Sequence, residues 1–110
     1  MRILLDENLP SDLAAELDGH RAHTVAHAGW SGTPDGKLLR LAAAHYDAFL
    51  TMDGSIRHQQ NYSNLGLRIV VIKAQSNRLF HLRPLVPQIL KTLRWMRPGQ
   101  LVDISSQVGD

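Results

Sequence analysis

The chain contains no cysteine, which excludes both a disulfide framework and a zinc site built from thiolates. It also lacks any apolar run close to the roughly 20 residues that a membrane-spanning helix requires. The N-terminal segment reaches charge at Asp6, too early for a secretory signal peptide. We therefore expect a cytoplasmic protein that does not enter a membrane.

The length of 110 residues is enough for one hydrophobic core but too small for two. Hydrophobic residues make up 44% of the chain, which is the share of an ordinary globular protein. The sequence shows no internal repeat, low-complexity tract or linker. We expect a single domain over residues 1–110, with any functional site on the surface of its core.

Acidic residues are scarce in the second half of the chain, and none occurs between Gly54 and Val102. Through Asp53 the chain carries eight acids and four lysines or arginines, whereas beyond it there are eight lysines or arginines and two acids. The first half is therefore suited to hold a cation and the second half a polyanion. A solvated basic face on a C-terminal helix would give the same excess.

Apolar segments alternate with helical patterns along the chain, which is typical of a mostly parallel sheet covered on both faces. Short apolar or β-branched runs predict strands over residues 2–5, 23–26, 47–52, 67–72 and 101–104. Capping signals and apolar stripes predict helices from Leu9 to Gly19, from Asp35, over 56–60, and over 77–96 with interruptions at Pro84 and Pro87. The predicted class is α/β, with a central sheet of four to five strands.

Three carboxylates lie at the boundaries of predicted strands and helices. Asp6 follows the first strand, Asp53 follows the third, and Asp35 stands at or near the start of the second helix. Ligands of open α/β sheets bind outside the carboxyl ends of the strands, so Asp6 and Asp53 fall at the expected functional edge. Each acid could instead serve only as a helix cap or turn residue.

Hard carboxylate oxygens are the ligands that Mg²⁺ and Mn²⁺ prefer, and nucleases use one or two such ions to activate water and to stabilise charge on the scissile phosphate. Three acids from three segments that meet at one sheet edge would supply those ligands. The pattern therefore favours phosphodiester chemistry, although it leaves open whether one ion or two would bind.

Three segments together resemble the short PIN-like proteins of bacteria, which are predicted nucleases often encoded as the toxin-like half of a toxin-antitoxin pair. They are Leu4-Leu5-Asp6-Glu7-Asn8-Leu9-Pro10, a Gly-Trp-Ser-Gly loop leading to Pro34-Asp35, and Phe49-Leu50-Thr51-Met52-Asp53. The resemblance implies a PIN-like three-layer α/β/α sandwich acting as a metal-dependent ribonuclease. It also implies Mg²⁺ or Mn²⁺ as cofactor, RNA as substrate and an antitoxin protein as partner.

Carried over onto this chain, the resemblance makes Asp6, Asp35 and Asp53 the catalytic and metal-binding residues. Thr51 precedes the third acid as the family pattern expects and would orient the neighbouring carboxylate or a water. Many PIN domains add a fourth acid soon after the third, which this chain lacks. An uncharged oxygen of Asn8, Gln59 or Asn61 would then take its place.

Polar side chains cluster just beyond Asp53, over residues 57–62, and are rich in donors for phosphate oxygens and base edges. Together with arginines near the start of the last predicted helix, they predict a nucleic-acid-binding surface. Its proposed members are Arg57, His58, Asn61, Arg78 and Arg83.

Two other functions fit parts of the pattern. One is a non-catalytic PIN-like module that binds RNA or a protein, because the acid set is incomplete. The other is a phosphoacceptor receiver domain, which also places acids after its first and third strands but puts its lysine one strand later than Lys73. Whichever function holds, symmetric dimers are the commonest assembly, and we expect a homodimer.

Overall fold

The computed structural model describes residues 1–59 and 61–106. Five strands form one sheet in the order β2-β1-β3-β4-β5, and every neighbouring pair is parallel. The strands are β1 Arg2–Leu5, β2 Arg21–Thr24, β3 Ala48–Thr51, β4 Arg68–Lys73 and β5 Leu101–Ser105. The predicted α/β class with a parallel sheet is confirmed, and all five carboxyl ends lie at one edge.

Helices cover both faces of this sheet. The α-helices are α1 Asp35–His45, α2 Leu79–Leu82 and α3 Val86–Trp95. Short 3₁₀ helices occupy Ser11–Glu16, Gly54–His58, Tyr62–Leu65 and Arg83–Leu85. Within the described ranges, none of these helices has the length and apolar character needed to cross a bilayer.

Alternation along the strands divides the core into two halves. Ile3 and Leu5 of β1 face the layer that contains α2, α3 and Ser11–Glu16. Leu4 faces the opposite layer, which contains α1 and Gly54–His58. Because both faces of the sheet are covered, the central strands are apolar throughout, and residues 48–51 are all buried.

The structure differs from the prediction at the first helix and at the second strand. The segment after Leu9 forms a 3₁₀ helix over Ser11–Glu16 in place of the longer predicted helix, because its turns close by i→i+3 bonds such as that from the Leu13 N–H to the Pro10 carbonyl. The second strand covers Arg21–Thr24 instead of 23–26, because its pairing with β1, from Arg2 opposite Arg21 to Leu5 opposite Thr24, sets its limits.

The C-terminal helical region is broken where its prolines indicated. α2 ends at Leu82, a 3₁₀ turn carries Pro84, and α3 restarts with Pro87 in its first turn, where a missing N–H costs little. Trp95, the last residue of α3, has 58% of its surface exposed and is no part of the core.

The strand order reverses direction between β1 and β3. From β1 the chain passes outward to β2 and then returns across β1 to form β3, β4 and β5 on the other side. In an open parallel sheet this switch point opens the crevice in which ligands bind. Asp6 follows β1 directly and Asp53 lies two residues past β3, so both stand at the switch point.

Phe49 should carry a large part of the stability of the α1 layer. It is fully buried, and Phe49→Ala should lower the free energy of unfolding by about 3 to 5 kcal/mol through lost burial and a residual cavity. Phe80 is 77% exposed, so Phe80→Ala is the matched control. This variant should change the free energy of unfolding by less than about 0.5 kcal/mol. Urea denaturation measures both variants, and equal losses of unfolding free energy in the two would contradict this packing.

Candidate functional site

The hydroxyl of Thr51 joins the ends of β1 and β3. Thr51 is fully buried, and its Oγ1 donates a hydrogen bond of 2.6 Å to Oδ2 of Asp6. The same oxygen accepts bonds from Nδ2 of Asn8 at 3.1 Å and from the backbone N–H of Asp53 at 3.0 Å. One donor and two lone pairs are all that a hydroxyl has, so this group is fully used.

The side-chain amide of Asn8 supports the same junction. Its Oδ1 accepts the backbone N–H of Met52 at 3.0 Å, and because an N–H can only donate, this contact fixes which way the amide faces. Its Nδ2 is then directed at Thr51 and at Oδ2 of Asp6, 3.3 Å away. Asn8 therefore holds the carboxylate of Asp6 in place and commits one lone pair of its own oxygen.

Each of the two strand-end carboxylates keeps one oxygen with open capacity. Among the described residues, Oδ2 of Asp6 accepts two bonds, whereas its Oδ1 accepts only the Glu7 N–H at 2.8 Å. Oδ1 of Asp53 accepts the hydroxyl of Ser55 at 2.6 Å and its N–H at 3.0 Å. These bonds, the hydroxyl first, hold the pKa of Asp53 below its usual value. Its Oδ2 accepts no hydrogen bond from the described residues.

Asp35 completes the acidic group from the first turn of α1. Partial burial, followed by the negative charges of Asp53 and Asp6, raises the pKa of Asp35. The three predicted acids therefore lie within electrostatic reach of one another. No described residue donates a hydrogen bond to the Asp35 carboxylate, so only solvent and the positive end of the α1 dipole offset the repulsion.

The loop before α1 is tied to the same edge by Glu7. Its Oε1 accepts the backbone N–H of Gly32 at 2.8 Å, which holds the Gly-rich loop close to the end of β1. Glu7 therefore helps to set where α1 begins, and with it the position of Asp35. No local sequence pattern signals this contact, because Glu7 and Gly32 are 25 residues apart.

The acids share an edge without forming a closed cage. Over residues 1–59 and 61–106, no three or more His, Asp and Glu side chains are arranged to hold a metal ion. The open oxygens are instead Oδ1 of Asp6, Oδ2 of Asp53 and both oxygens of Asp35. Such an arrangement is an open site, which would leave much of a cation's coordination to water or a substrate.

The sequence model of a family described as a PIN-like domain matches residues 1–74. The chain belongs to the PIN-like domain family. No curated protein and no solved structure matches it. The matched region of this PIN-like domain runs from β1 through β4 and includes all three acids, and members of the superfamily are generally nucleases.

A receiver domain has the same strand order as this fold but places its lysine differently. Flavodoxin-like sheets of order 2-1-3-4-5 have the same switch point, so topology alone does not separate the two. Lys73 is the last residue of β4 and is exposed, one strand short of the receiver position. The family match decides in favour of the PIN-like domain.

The residues predicted to bind nucleic acid come from both layers of the PIN-like domain. Arg57, His58 and Asn61 belong to the layer of α1, whereas Arg78 and Arg83 belong to the layer of α2 and α3. Gln60, within the predicted polar cluster and at the end of the helix predicted over 56–60, lies outside the described residues.

Two of these arginines already have carboxylate partners. Arg57 pairs with Asp103 of β5, with 3.2 Å between Nη1 and Oδ2, and its hydrogen bond holds the pKa of Asp103 below the usual value. Arg83 pairs with Glu16 at 2.9 Å. Both pairs are exposed at the surface, so each contributes little to stability and leaves the guanidinium free to exchange partners.

Removing the hydroxyl of Thr51 should damage the junction between the strands. Thr51→Val removes one hydrogen bond from each of three groups, and the free energy of unfolding should fall by about 1 to 3 kcal/mol. Thr51→Ser keeps the hydroxyl and loses one methyl, which should cost about 0.8 kcal/mol. Urea denaturation compares the two, and a valine variant at least as stable as the serine variant would contradict the assignment.

The raised pKa of Asp35 predicts a stability that falls as the pH rises. The folded state holds this proton more tightly than the unfolded chain, so stability present below the ordinary carboxyl pKa is lost as the pH passes through the raised pKa. Asp35→Asn should therefore melt at a higher temperature than the wild type at neutral pH in EDTA.

Below the ordinary carboxyl range, this difference in melting temperature should disappear. Asp12→Asn is the control, since Asp12 also lies in the first turn of a helix but contributes nothing to the raised pKa of Asp35. It should not raise the melting temperature. An Asp35→Asn protein that melts lower than the wild type at neutral pH would show that the repulsion is not the governing effect.

Proposed function

We propose that this PIN-like domain is a metal-dependent ribonuclease that hydrolyses phosphodiester bonds of RNA. The observation that supports it most is that Asp35 lies close enough to Asp6 and Asp53, the acids at the switch point, for their charges to raise its pKa in addition to partial burial. Perturbed carboxylates concentrated in the crevice of an α/β sheet are a functional arrangement more often than a structural one.

The donor set suits Mg²⁺ or Mn²⁺. Mg²⁺ binds through one or two carboxylates, keeps several waters and takes its remaining ligands from substrate phosphates. Oδ1 of Asp6 and Oδ2 of Asp53 match that requirement, since each has open capacity on a carboxylate otherwise held by hydrogen bonds. A bound ion supplies water activation and neutralises charge on phosphorus.

The protein's own residues have separate parts in this proposal. Asp6 and Asp53 hold the ion, and Thr51 with Asn8 keeps the Asp6 carboxylate oriented before any ligand arrives. Asp35 lies near them with a pKa raised above that of an ordinary aspartate, so its carboxylate binds a proton more readily. It is therefore suited to accept a proton from the attacking water or to join the ligand set.

The biological setting that we propose is a bacterial toxin-antitoxin pair in the cytoplasm. Its support is the resemblance of the segments around Asp6 and Asp53 to short PIN-like proteins of that kind. The excess of lysine and arginine beyond Asp53 suits RNA as the polyanionic substrate. A cognate antitoxin would be the protein partner.

Asp6→Asn and Asp53→Asn should abolish metal-dependent cleavage. Amides keep the size of the side chains but lose the charge that holds the ion, and a loss of several kcal/mol corresponds to a fall in rate of at least about a hundredfold. The measurement is hydrolysis of a labelled single-stranded RNA in Mn²⁺. Asp18→Asn, an exposed acid between Leu17 and Gly19, is the control and should retain activity.

Circular dichroism should confirm that the two site variants remain folded. Full activity in either of them would sink the assignment, because no other pair of carboxylates flanks the switch point within the described residues.

A non-catalytic binding module is the second candidate, favoured by one observation. The described residues hold no preassembled group of three metal ligands, and no acid occurs between Gly54 and Val102. Titration calorimetry with Mn²⁺ separates the candidates. Binding that Asp53→Asn abolishes supports the enzyme, whereas no binding at millimolar Mn²⁺ favours the module.

A further inference from the structure

A cleft of about 420 Å³ lies beside the acidic edge, between the first turns of α1 and the segment that follows the 3₁₀ helix Gly54–His58. We call it the α1 cleft. It is lined by Gly36, Leu39, Arg40, Gln59, Asn61 and Leu65. Its size falls in the range of small-ligand sites.

Both walls of the α1 cleft begin at acids of the candidate site. Asp35 directly precedes Gly36, and Asp53 caps the 3₁₀ helix that leads to Gln59. A 3₁₀ helix rises about 2 Å per residue, so these five residues span roughly 10 Å. A nucleotide neighbouring the scissile phosphate would therefore reach the cleft.

Arg40 is the charged group of the cleft, and its guanidinium is available. No residue of the described ranges forms a hydrogen bond or ion pair with it. A Cβ placed on Gly36 would lie 3.8 Å from its Nη1, so the side chain leans back along α1 toward the acidic edge. Arg57 and Arg83, in contrast, already have carboxylate partners.

Two amides add directional donors and acceptors. Neither Gln59 nor Asn61 uses its side chain in a hydrogen bond to any described residue. Asn61 has φ +63°, and no other non-glycine residue of the described ranges has a positive φ. This backbone conformation is tolerated by asparagine and is often kept at functional positions. Both amides can therefore bind a ligand without breaking a protein contact.

The remaining lining is apolar. Leu39 is almost fully buried, and Leu65 packs partly buried in the same half of the core. A phosphate would gain nothing from an apolar floor, whereas the face of a heteroaromatic base would. An arginine fork matches O6 and N7 of guanine with two hydrogen bonds, and pyrimidines have no such pair of acceptors.

We propose that the α1 cleft binds an unpaired purine base of RNA, guanine in preference to adenine, with Arg40 as the residue that reads it. The proposal rests on the proposed ribonuclease function, since it places this base next to the bond to be cut. It assigns to the cleft a sequence preference that contacts to phosphates would not provide.

Binding of the four ribonucleoside monophosphates to the full chain in EDTA tests this proposal without cleavage. Amide NMR shifts report both the affinity and the residues affected. Guanosine monophosphate should shift Gly36, Arg40, Gln59 and Asn61 and bind about tenfold more tightly than the cytidine and uridine forms, with adenosine between them. Equal affinities for all four nucleotides, or shifts outside the cleft, would overturn it.

Arg40→Lys separates base reading from phosphate binding. Lysine keeps the charge but lacks the planar fork, so the preference for guanosine monophosphate should be lost. A preference unchanged in this variant would overturn the role of Arg40. Arg94→Lys, at an exposed arginine of α3 in the opposite layer, is the matched control and should behave as the wild type.

Gly36→Ala tests the shape of the cleft. The added Cβ would lie 3.4 Å from Oε1 of Gln59, and alanine is favoured over glycine in a helix, so the variant should fold well while the cleft narrows. Guanosine monophosphate should bind more weakly to it. Unchanged affinity in a folded variant would exclude the base from this cleft.

Failure of this proposal can be told apart from failure of the ribonuclease assignment. Asp18→Asn, at an exposed acid outside both the cleft lining and the acidic edge, should bind guanosine monophosphate in EDTA as the wild type does. If the protein binds guanosine monophosphate but cleaves no RNA, the base-binding role of the cleft stands and the ribonuclease assignment is wrong. Cleavage of RNA by a protein that binds no nucleotide in EDTA would overturn the cleft alone.

Discussion

The arrangement of the site depends on one buried hydroxyl. Thr51 binds the carboxylate of Asp6, the amide of Asn8 and the backbone of Asp53 at once. It can do so because β1 and β3 are adjacent and parallel, with Leu5 paired opposite Leu50. The residues that follow the two strands therefore lie side by side. A buried hydroxyl that makes all its hydrogen bonds stabilises the fold, whereas loss of some of these bonds costs free energy because the remaining polar groups stay buried. The junction therefore converts strand pairing into a defined separation between two acids.

The same edge contains a conflict between stability and function. Hydrogen bonds compensate Asp6 and Asp53, and Ser55 even favours the charge on Asp53. Asp35 receives no such compensation, and its pKa is raised by burial and by the other two carboxylates. The dipole of α1 favours a negative charge in its first turn, yet the folded state still opposes ionisation of Asp35. A repulsion that a cation would relieve is the kind of cost that proteins retain at functional sites.

The strand ends were predictable because their signals are local. Apolar runs followed by a carboxylate located Asp6 and Asp53 correctly, and the helix beginning at Asp35 was confirmed. The limits of β2 were not predictable, since pairing with β1 sets them. The same holds for the bond between Asn8 and Thr51, which are 43 residues apart and meet only through the order of the strands. Arg40 went unnoticed because no local pattern marks an arginine without a partner.

Basic residues alone would not determine which RNA sequence the protein prefers. Arg57 and Arg83 lie in opposite layers, and each already neutralises a carboxylate at the surface. Exposed pairs of this kind are weak, so a phosphate could replace either carboxylate at little cost, with little dependence on sequence. Arg40 differs because it borders a cleft with an apolar floor and has no partner to lose. Phosphate contacts position a strand while base contacts specify it, so selectivity in this fold depends on the cleft and not on the total charge.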